Sequence, residues 1–406
     1  MKTTLEQPDS ASAMQTAQAP PDFSLVLGGP LFRLCRRARL SGDALELLHR
    51  RVLAITLLAW LPLLFLSALE RHAVGASIKI PFLHDIEANV RLLVALPVLI
   101  LAELVVYRRM SPVRRFMERS IVLSYDAPRF NAAINSAIGV RDSIAVEGTL
   151  LVLVYTLGLW IWRSQLALGE PTWYAMPEGK HLHLSLAGYW YVFVSLPIFQ
   201  FILMRWYLRL AIWFRLLWQI SRLDLHLSAA HPDRVGGIGF LGKSSYSFAP
   251  ILLAQGTLLS GLIASRVLYE GQALLSFKMQ AAGFVGFFVL VILGPLVMFT
   301  PLLDRANRKG SAEYGLLANR YVLRFEEKWL RAVDPETSKL LGSADIQAMA
   351  DMANVYSNVR QMRLVPFGTA DITRLAAATA APLLPLALTI FSVPQLLRFL
   401  VKIVFK

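Results

Sequence analysis

Apolar and polar residues do not alternate finely along this chain; they come in blocks. Apolar runs close to the roughly 20 residues with which an α-helix crosses a hydrocarbon layer about 30 Å thick cover Val52–Leu69, Leu92–Tyr107, Ile144–Trp162, Leu186–Met204, Ala249–Tyr269 and Ala281–Leu303. A weaker seventh run, Leu375–Phe391, carries Pro382 and Pro385. Beyond it, Ser392-Val393-Pro394 reads as a fresh helix start. Arg398, Lys402 and Lys406 follow at intervals of four and share one face, which suits a helix lying in the membrane interface. The pattern predicts an all-α, polytopic transmembrane bundle of six spans, with a seventh segment that either crosses or turns back as a re-entrant hairpin.

The polar blocks between the runs carry helical periodicity of their own. Phe130, Ile134 and Ile138 line one face of a helix opened by Asp126 and Pro128, and Tyr314, Leu317, Tyr321, Phe325 and Trp329 line another. Asp334-Pro335 starts a short helix that Gly342 ends, and Ile346, Met349, Tyr356 and Val359 mark one more. Such faces need an apolar partner, so a small cytoplasmic helical layer beneath the membrane domain is expected. Neither a strand-period segment long enough for a sheet nor an internal repeat is legible. The chain therefore divides into a polar tail at 1–30, expected to be disordered, a membrane domain with basic loops at 31–303, a cytoplasmic helical segment at 304–373, and a last segment at 374–406.

Composition agrees: 56% of residues are hydrophobic, 17% are charged and the mean hydropathy is +0.52, far from the balance of water-soluble domains. The single cysteine, Cys35, excludes an intrachain disulfide, and the first 30 residues lack the apolar run of a removable signal peptide. The net charge of +14 is distributed by topology. Of the 41 Lys and Arg, about 31 fall in the tail to Arg51, in Arg108–Ser143, in Arg205–Phe248 and in Asp304–Arg374, alternating with loops that hold few. The bias predicts a cytoplasmic N-terminus. The basic faces are expected to meet anionic phospholipid at the cytoplasmic leaflet, not nucleic acid. Arg205, Trp206, Arg209, Trp213, Arg215, Trp218 and Arg222 read as a helix leaving the membrane along those headgroups.

Candidate chemistry lies in two places. Ionisable and polar residues inside or beside the spans, Glu103, Glu147, Gln255 and Arg266, are candidates for an ion or proton pathway, because each is costly in lipid. Glu103 has no cation beside it in sequence, so it must find a partner or take a proton. The second place is the loop His231, Asp233, Arg234, Gly237, Gly239, Gly242, Lys243 and Ser244. Gly237 to Ser244 satisfies the phosphate-loop spacing, but no strand precedes it and a membrane span follows. Nucleotide hydrolysis is excluded on that ground, leaving an anion or lipid-headgroup loop against a plain flexible turn. His231-Pro232-Asp233 copies the tripeptide of J-domain co-chaperones without the soluble helices that domain requires. Asp224, His226, His231 and Asp233, like His181 and His183, have ligand-type side chains at spacings that fit no metal site. Neither a metal nor a cofactor is expected, and no nucleophile with its base is legible, which argues against an enzyme. Pro62, Pro97, Pro197 and Pro295 kink spans, and Thr257, Gly261 and Ser265 offer a small-residue packing face.

The strings His231-Pro232-Asp233-Arg234-Val235-Gly236-Gly237-Ile238-Gly239-Phe240, Leu341-Gly342-Ser343-Ala344-Asp345-Ile346-Gln347 and Met362-Arg363-Leu364-Val365-Pro366-Phe367 resemble signatures of an uncharacterised family of bacterial polytopic inner-membrane proteins. That resemblance implies a location and supplies no activity. Two functional expectations stand: a transporter- or channel-like protein, or a membrane-anchored signalling or assembly scaffold whose cytoplasmic helices bind a protein partner. A homo-oligomer is compatible with both.

Overall fold

The computed structural model describes residues 23–38, 47–74, 78, 80–109, 112–161, 172–178, 181–331 and 344–389. Six helices in it are long and apolar enough to cross a membrane: α2 Leu48–Leu69, α3 Ile86–Arg109, α6 Ile144–Ile161, α7 Leu186–Ile220, α8 Phe240–Tyr269 and α9 Leu274–Trp329. They are compatible with an integral, multi-pass membrane protein. Around them lie α1 Pro30–Arg37, α4 Pro112–Glu118, α5 Ala127–Asp142, α10 Ala344–Arg360 and α11 Thr369–Ala380, the last continued as a 3-10 helix over Ala381–Thr389. A short antiparallel ribbon pairs β1 Ala175–Glu178 with β2 His181–Leu184, so His181 and His183 sit on a strand. The tail before residue 23, the expected helix at Asp334-Pro335 and the final basic segment with Arg398 lie outside the described residues.

The surface of the bundle is what lipid requires. On α2, Ala59, Leu63 and Ser67 face the core at intervals of four, while Leu53, Leu57, Leu61 and Phe65 stand exposed on the other side. A helix apolar all round has no water-facing side, so its outer face belongs against hydrocarbon. The same argument covers Leu151, Val152 and Trp160 on α6 and Phe287 and Leu290 on α9.

Two of the proline kinks are pinned by neighbouring helices. Proline lacks the N–H that would bond the carbonyl four residues back, so Pro62 frees the carbonyl of Leu58 and Pro197 that of Phe193. The Trp190 indole N–H donates to Leu58 O at 3.3 Å, and the Tyr155 hydroxyl donates to Phe193 O at 3.0 Å. Ser195 Oγ donates to Ala59 O at 2.6 Å beside them. These contacts fix α2, α6 and α7 against one another.

The sequence shows no repeat, but the structure does. α3 opens on Asp85, whose carboxylate accepts from Ala88 N, runs as α-helix over Ile86–Val90, widens to a π-helical segment over Arg91–Ala95, and resumes at Leu96-Pro97. α7 opens on Ser185, accepting from Gly188 N, runs over Leu186–Trp190, widens over Tyr191–Ser195, and resumes at Leu196-Pro197. Every landmark is displaced by 100 positions. The identical pairs are Val94 and Val194, Leu96 and Leu196, Pro97 and Pro197, Tyr107 and Tyr207, and Arg109 and Arg209, too few and too apolar to stand out. The two π-segments meet where the Arg91 guanidinium donates to the Tyr191 hydroxyl.

At one end of the bundle, the basic end, the polar segments fold on one another. Val122 bridges Leu225, His226 N donates to Ile121 O at 2.7 Å, and Arg363 N donates to Arg234 O at 2.7 Å. Phe116 of α4 packs edge-on against Phe130 of α5 and Phe240 of α8. Asp126 does not cap α5; its buried carboxylate accepts from Asp224 N at 2.8 Å and so ties that helix to the segment after α7. α10 packs along α9 in an arm beyond the bundle, with Tyr321 and Trp329 bonded to Asp345. Leu317 and Ile346, expected on the buried faces of these helices, are exposed. The segment Thr369–Thr389 lies along α8. Near its start, Pro366 and Asp371 crowd Gly242 at the basic end, and Leu386 joins Ile263, Ala264 and Phe277 near the other.

Candidate functional site

Five ionisable side chains converge inside the basic end of the bundle: Arg51 of α2, Glu103 of α3, Glu147 of α6, and Arg205 and Arg209 of α7. None exceeds 9% exposure. Each is placed by a helix face that is otherwise apolar. Glu103 belongs to the buried stripe Leu96, Leu99, Ile100 and Val106, and the two arginines share theirs with Trp206, Leu210 and Trp213.

The Glu103 carboxylate is held from two sides. One oxygen takes the Arg51 guanidinium, and the other takes Arg209 at 2.8 Å with Arg205 at 3.9 Å. Arg205 turns its Nε to Glu147 at 3.2 Å, and the second oxygen of Glu147 accepts from Leu31 N, in the first turn of α1, at 2.8 Å. A carboxylate at a helix N-terminus meets both free N–H groups and the positive end of the helix dipole. The approach to α1 is tight: Gly28 and Gly29 adopt positive φ, and a Cβ on Gly29 would come within 3.1 Å of the Glu147 carboxylate. Leu25 and Val26 anchor this strap in the core, and the Arg141 guanidinium donates to Ser24 O. Arg141 also grips Asp142, whose carboxyl is held below its ordinary range by that bond, against the opposing pull of partial burial.

The charge does not balance. Among the described residues three arginines face two carboxylates, an excess of one positive charge, and Arg51 Nε has no hydrogen-bond partner there. The Arg209 guanidinium is backed by the Trp206 ring, 4.7 Å from its centroid, and the Trp206 N–H donates to Leu99 O at 2.8 Å. Comparison of the chain with protein-family models, with curated proteins and with solved structures gives no match. The family resemblance therefore rests on its sequence strings alone, and the functional reading rests on geometry.

The expected pathway residues are only partly brought together. Glu103 and Glu147 share Arg205. Gln255 is buried elsewhere and donates to the Tyr207 hydroxyl at 2.9 Å, and Arg266 lies in the last turn of α8 at the opposite end. Arg51, Arg205 and Arg209 were missed as partners. Arg205, Trp206, Arg209 and Trp213, expected among lipid headgroups, instead face the core; Trp218 on the other side of α7 and Arg222 just beyond its end are exposed. The available signal was the four-residue spacing of Arg205 and Arg209 on the face shared with Trp213.

The glycine-rich loop already holds an anion of its own. The Asp233 carboxylate accepts from Val235 N at 2.9 Å, Gly237 N at 3.1 Å and Gly239 N at 3.0 Å. Burial pushes its carboxyl up, but these three N–H groups and His231, 2.8 Å away, hold it below its ordinary range. Arg234, Gly236 and Gly237 take positive φ to form the turn. Ser244 Oγ donates to Phe240 O at 2.7 Å, Gly242 packs against the backbone at Pro366, and the side chain of Lys243 is exposed. Of the N–H groups in the phosphate-loop stretch, those of Gly237 and Gly239 are engaged by Asp233. Among the described residues no group of three His, Cys, Asp or Glu side chains converges as for a metal.

Proposed function

We propose that this chain is a multi-pass protein of the bacterial inner membrane, with a cytoplasmic N-terminus and Thr369–Thr389 as a seventh crossing, that binds and passes small inorganic anions. One observation carries the reading: the buried cluster has three guanidinium groups for two carboxylates. An uncompensated buried charge costs several kcal/mol, and a bound anion offsets that cost. The basic end supplies anions at raised local concentration. Arg91, paired with Tyr191 and lying over the Phe199 ring at 5.9 Å, puts a further cation on the same α3–α7 interface nearer the opposite end.

The decisive variant is Arg51→Gln, which balances the cluster and leaves Glu103 bonded to Arg209. Wild-type protein in non-ionic detergent is expected to gain thermal stability with chloride at constant ionic strength, by about 2.7 kcal/mol at a hundred times the dissociation constant. Arg51→Gln is expected to fold and to lose that response, and in liposomes under an applied potential its chloride flux falls at least about tenfold, which is about 1.4 kcal/mol in the barrier. Chloride-independent stability together with an absence of anion flux in the wild type would sink the proposal.

The scaffold reading has one observation of its own. Leu316, Leu323 and the C-cap residue Leu330 recur every seven residues on the side of α9 turned away from α10, and all are more than half exposed. A protein partner retained by the wild type and released when all three become serine would establish it; retention by that variant would end it.

A further inference from the structure

A second charged site lies outside the buried cluster. A cleft of about 450 Å³ runs between α9 and the extended segment Asp224–Ala229. The α9 wall presents Arg305, Lys309 and Glu313, one turn apart, and the facing wall presents Asp224, His226 and Ser228. Charge on this wall is graded. Arg308, on another face of α9, is already paired with Asp304, whereas among the described residues no carboxylate pairs with Arg305. Lys309 reaches Glu313 only at 3.9 Å. Asp224, on the far wall, accepts from the Tyr125 hydroxyl at 3.0 Å and pairs with no cation among the described residues.

Depth identifies the occupant. Val297 and Met298 are apolar and exposed, Leu303 closes the apolar stretch of α9, and Arg305 is the first cation after it. The cleft therefore opens where hydrocarbon gives way to headgroups. The Asp233 carboxylate fills the glycine-rich loop, whose spacing left an anion or headgroup site open beside a plain turn. We propose that the phosphate of an anionic lipid headgroup seats in this cleft, between Arg305 and Lys309, with Ser228 and His226 as hydrogen-bonding groups on the facing wall. A free phosphate ester presents the same chemistry, so the two sources must be separated by experiment.

Full-length protein in non-ionic detergent would be titrated with short-chain phosphatidic acid, short-chain phosphatidylcholine and inorganic phosphate, following bound lipid by native mass spectrometry. Phosphatidic acid is expected to bind in preference to phosphatidylcholine. The Arg305→Gln/Lys309→Gln variant is expected to weaken it about thirtyfold, while Arg320→Gln, an exposed cation on the same helix outside the cleft, changes it less than about twofold. Equal loss in Arg320→Gln would show diffuse surface attraction and overturn the site, as would binding that survives the double substitution. Displacement of the lipid by inorganic phosphate at comparable concentration supports the phosphate chemistry and assigns it to a soluble ester. Both cleft cations are exposed, so the variants test binding with the fold intact.

Discussion

Replacing Glu103 by glutamine is expected to destabilise the protein by about 3–5 kcal/mol, the usual cost of removing one partner from a buried ion network. Arg51, Arg205 and Arg209 would then face Glu147 alone, and the excess positive charge inside the bundle would double from one to two. Thermal or denaturant unfolding of the purified protein in detergent measures the loss. Adding Arg51→Gln to the variant should restore part of it, because that substitution removes one unpaired guanidinium; non-additivity of this kind is the signature of a shared network. An Glu103→Gln protein as stable as wild type would mean that water, not the carboxylate, satisfies these arginines.

The second large effect concerns packing. A Cβ at Gly256 of α8 would stand 2.0 Å from the backbone oxygen of Thr379 and 3.3 Å from Pro382 Cδ. No side-chain adjustment relieves a clash with backbone, so Gly256→Leu is expected to cost at least the 1–3 kcal/mol of ordinary overpacking and to lift Thr369–Thr389 away from α8. With Cys35 replaced by serine, a cysteine at the fully buried Thr379 reports this directly. It should resist a membrane-permeant maleimide in the parent and react quickly beside Gly256→Leu. Gly286→Ala serves as the control, since a Cβ there meets nothing within 4 Å. Slow labelling in both proteins would show that the segment does not depend on this contact.

The spans were legible because apolar length in a bilayer is a one-dimensional quantity. Their ends were less so: hydropathy reports where lipid stops, not where a helix stops. α7 runs on to Ile220 and α9 to Trp329, because nothing in Arg205–Ile220 or in Asp304–Trp329 breaks a helix. Glu103 and Glu147 could be singled out as costly residues, yet their partners Arg51, Arg205 and Arg209 come from helices distant in sequence. Periodicity assigns a face without naming the neighbour across it. The loop at Gly237–Ser244 illustrates a related point: its spacing matches an anion cradle, and Asp233, just upstream, accepts from the N–H groups of Gly237 and Gly239. The matched architecture of α3 and α7 escaped notice because backbone landmarks, an N-cap, a widened turn and a proline, survive where side chains have diverged.

The order in which the charges of the cluster are made carries a consequence for biosynthesis. At ribosomal rates of about 5–20 residues per second, Glu103 follows Arg51 by roughly 3–10 seconds. In that interval α2 holds a lone guanidinium where the finished protein has an ion pair, so α2 and α3 are best inserted as a unit, and at that stage the pair is neutral. The surplus positive charge arrives only with α7, after Glu147 is in place. The strap at Leu25–Leu31 cannot close until then, because the carboxylate that receives Leu31 N is synthesised more than a hundred residues later. Closure of the strap thus waits on α6, and the carboxylate that closes it is the one that Arg205 of α7 holds in the finished protein.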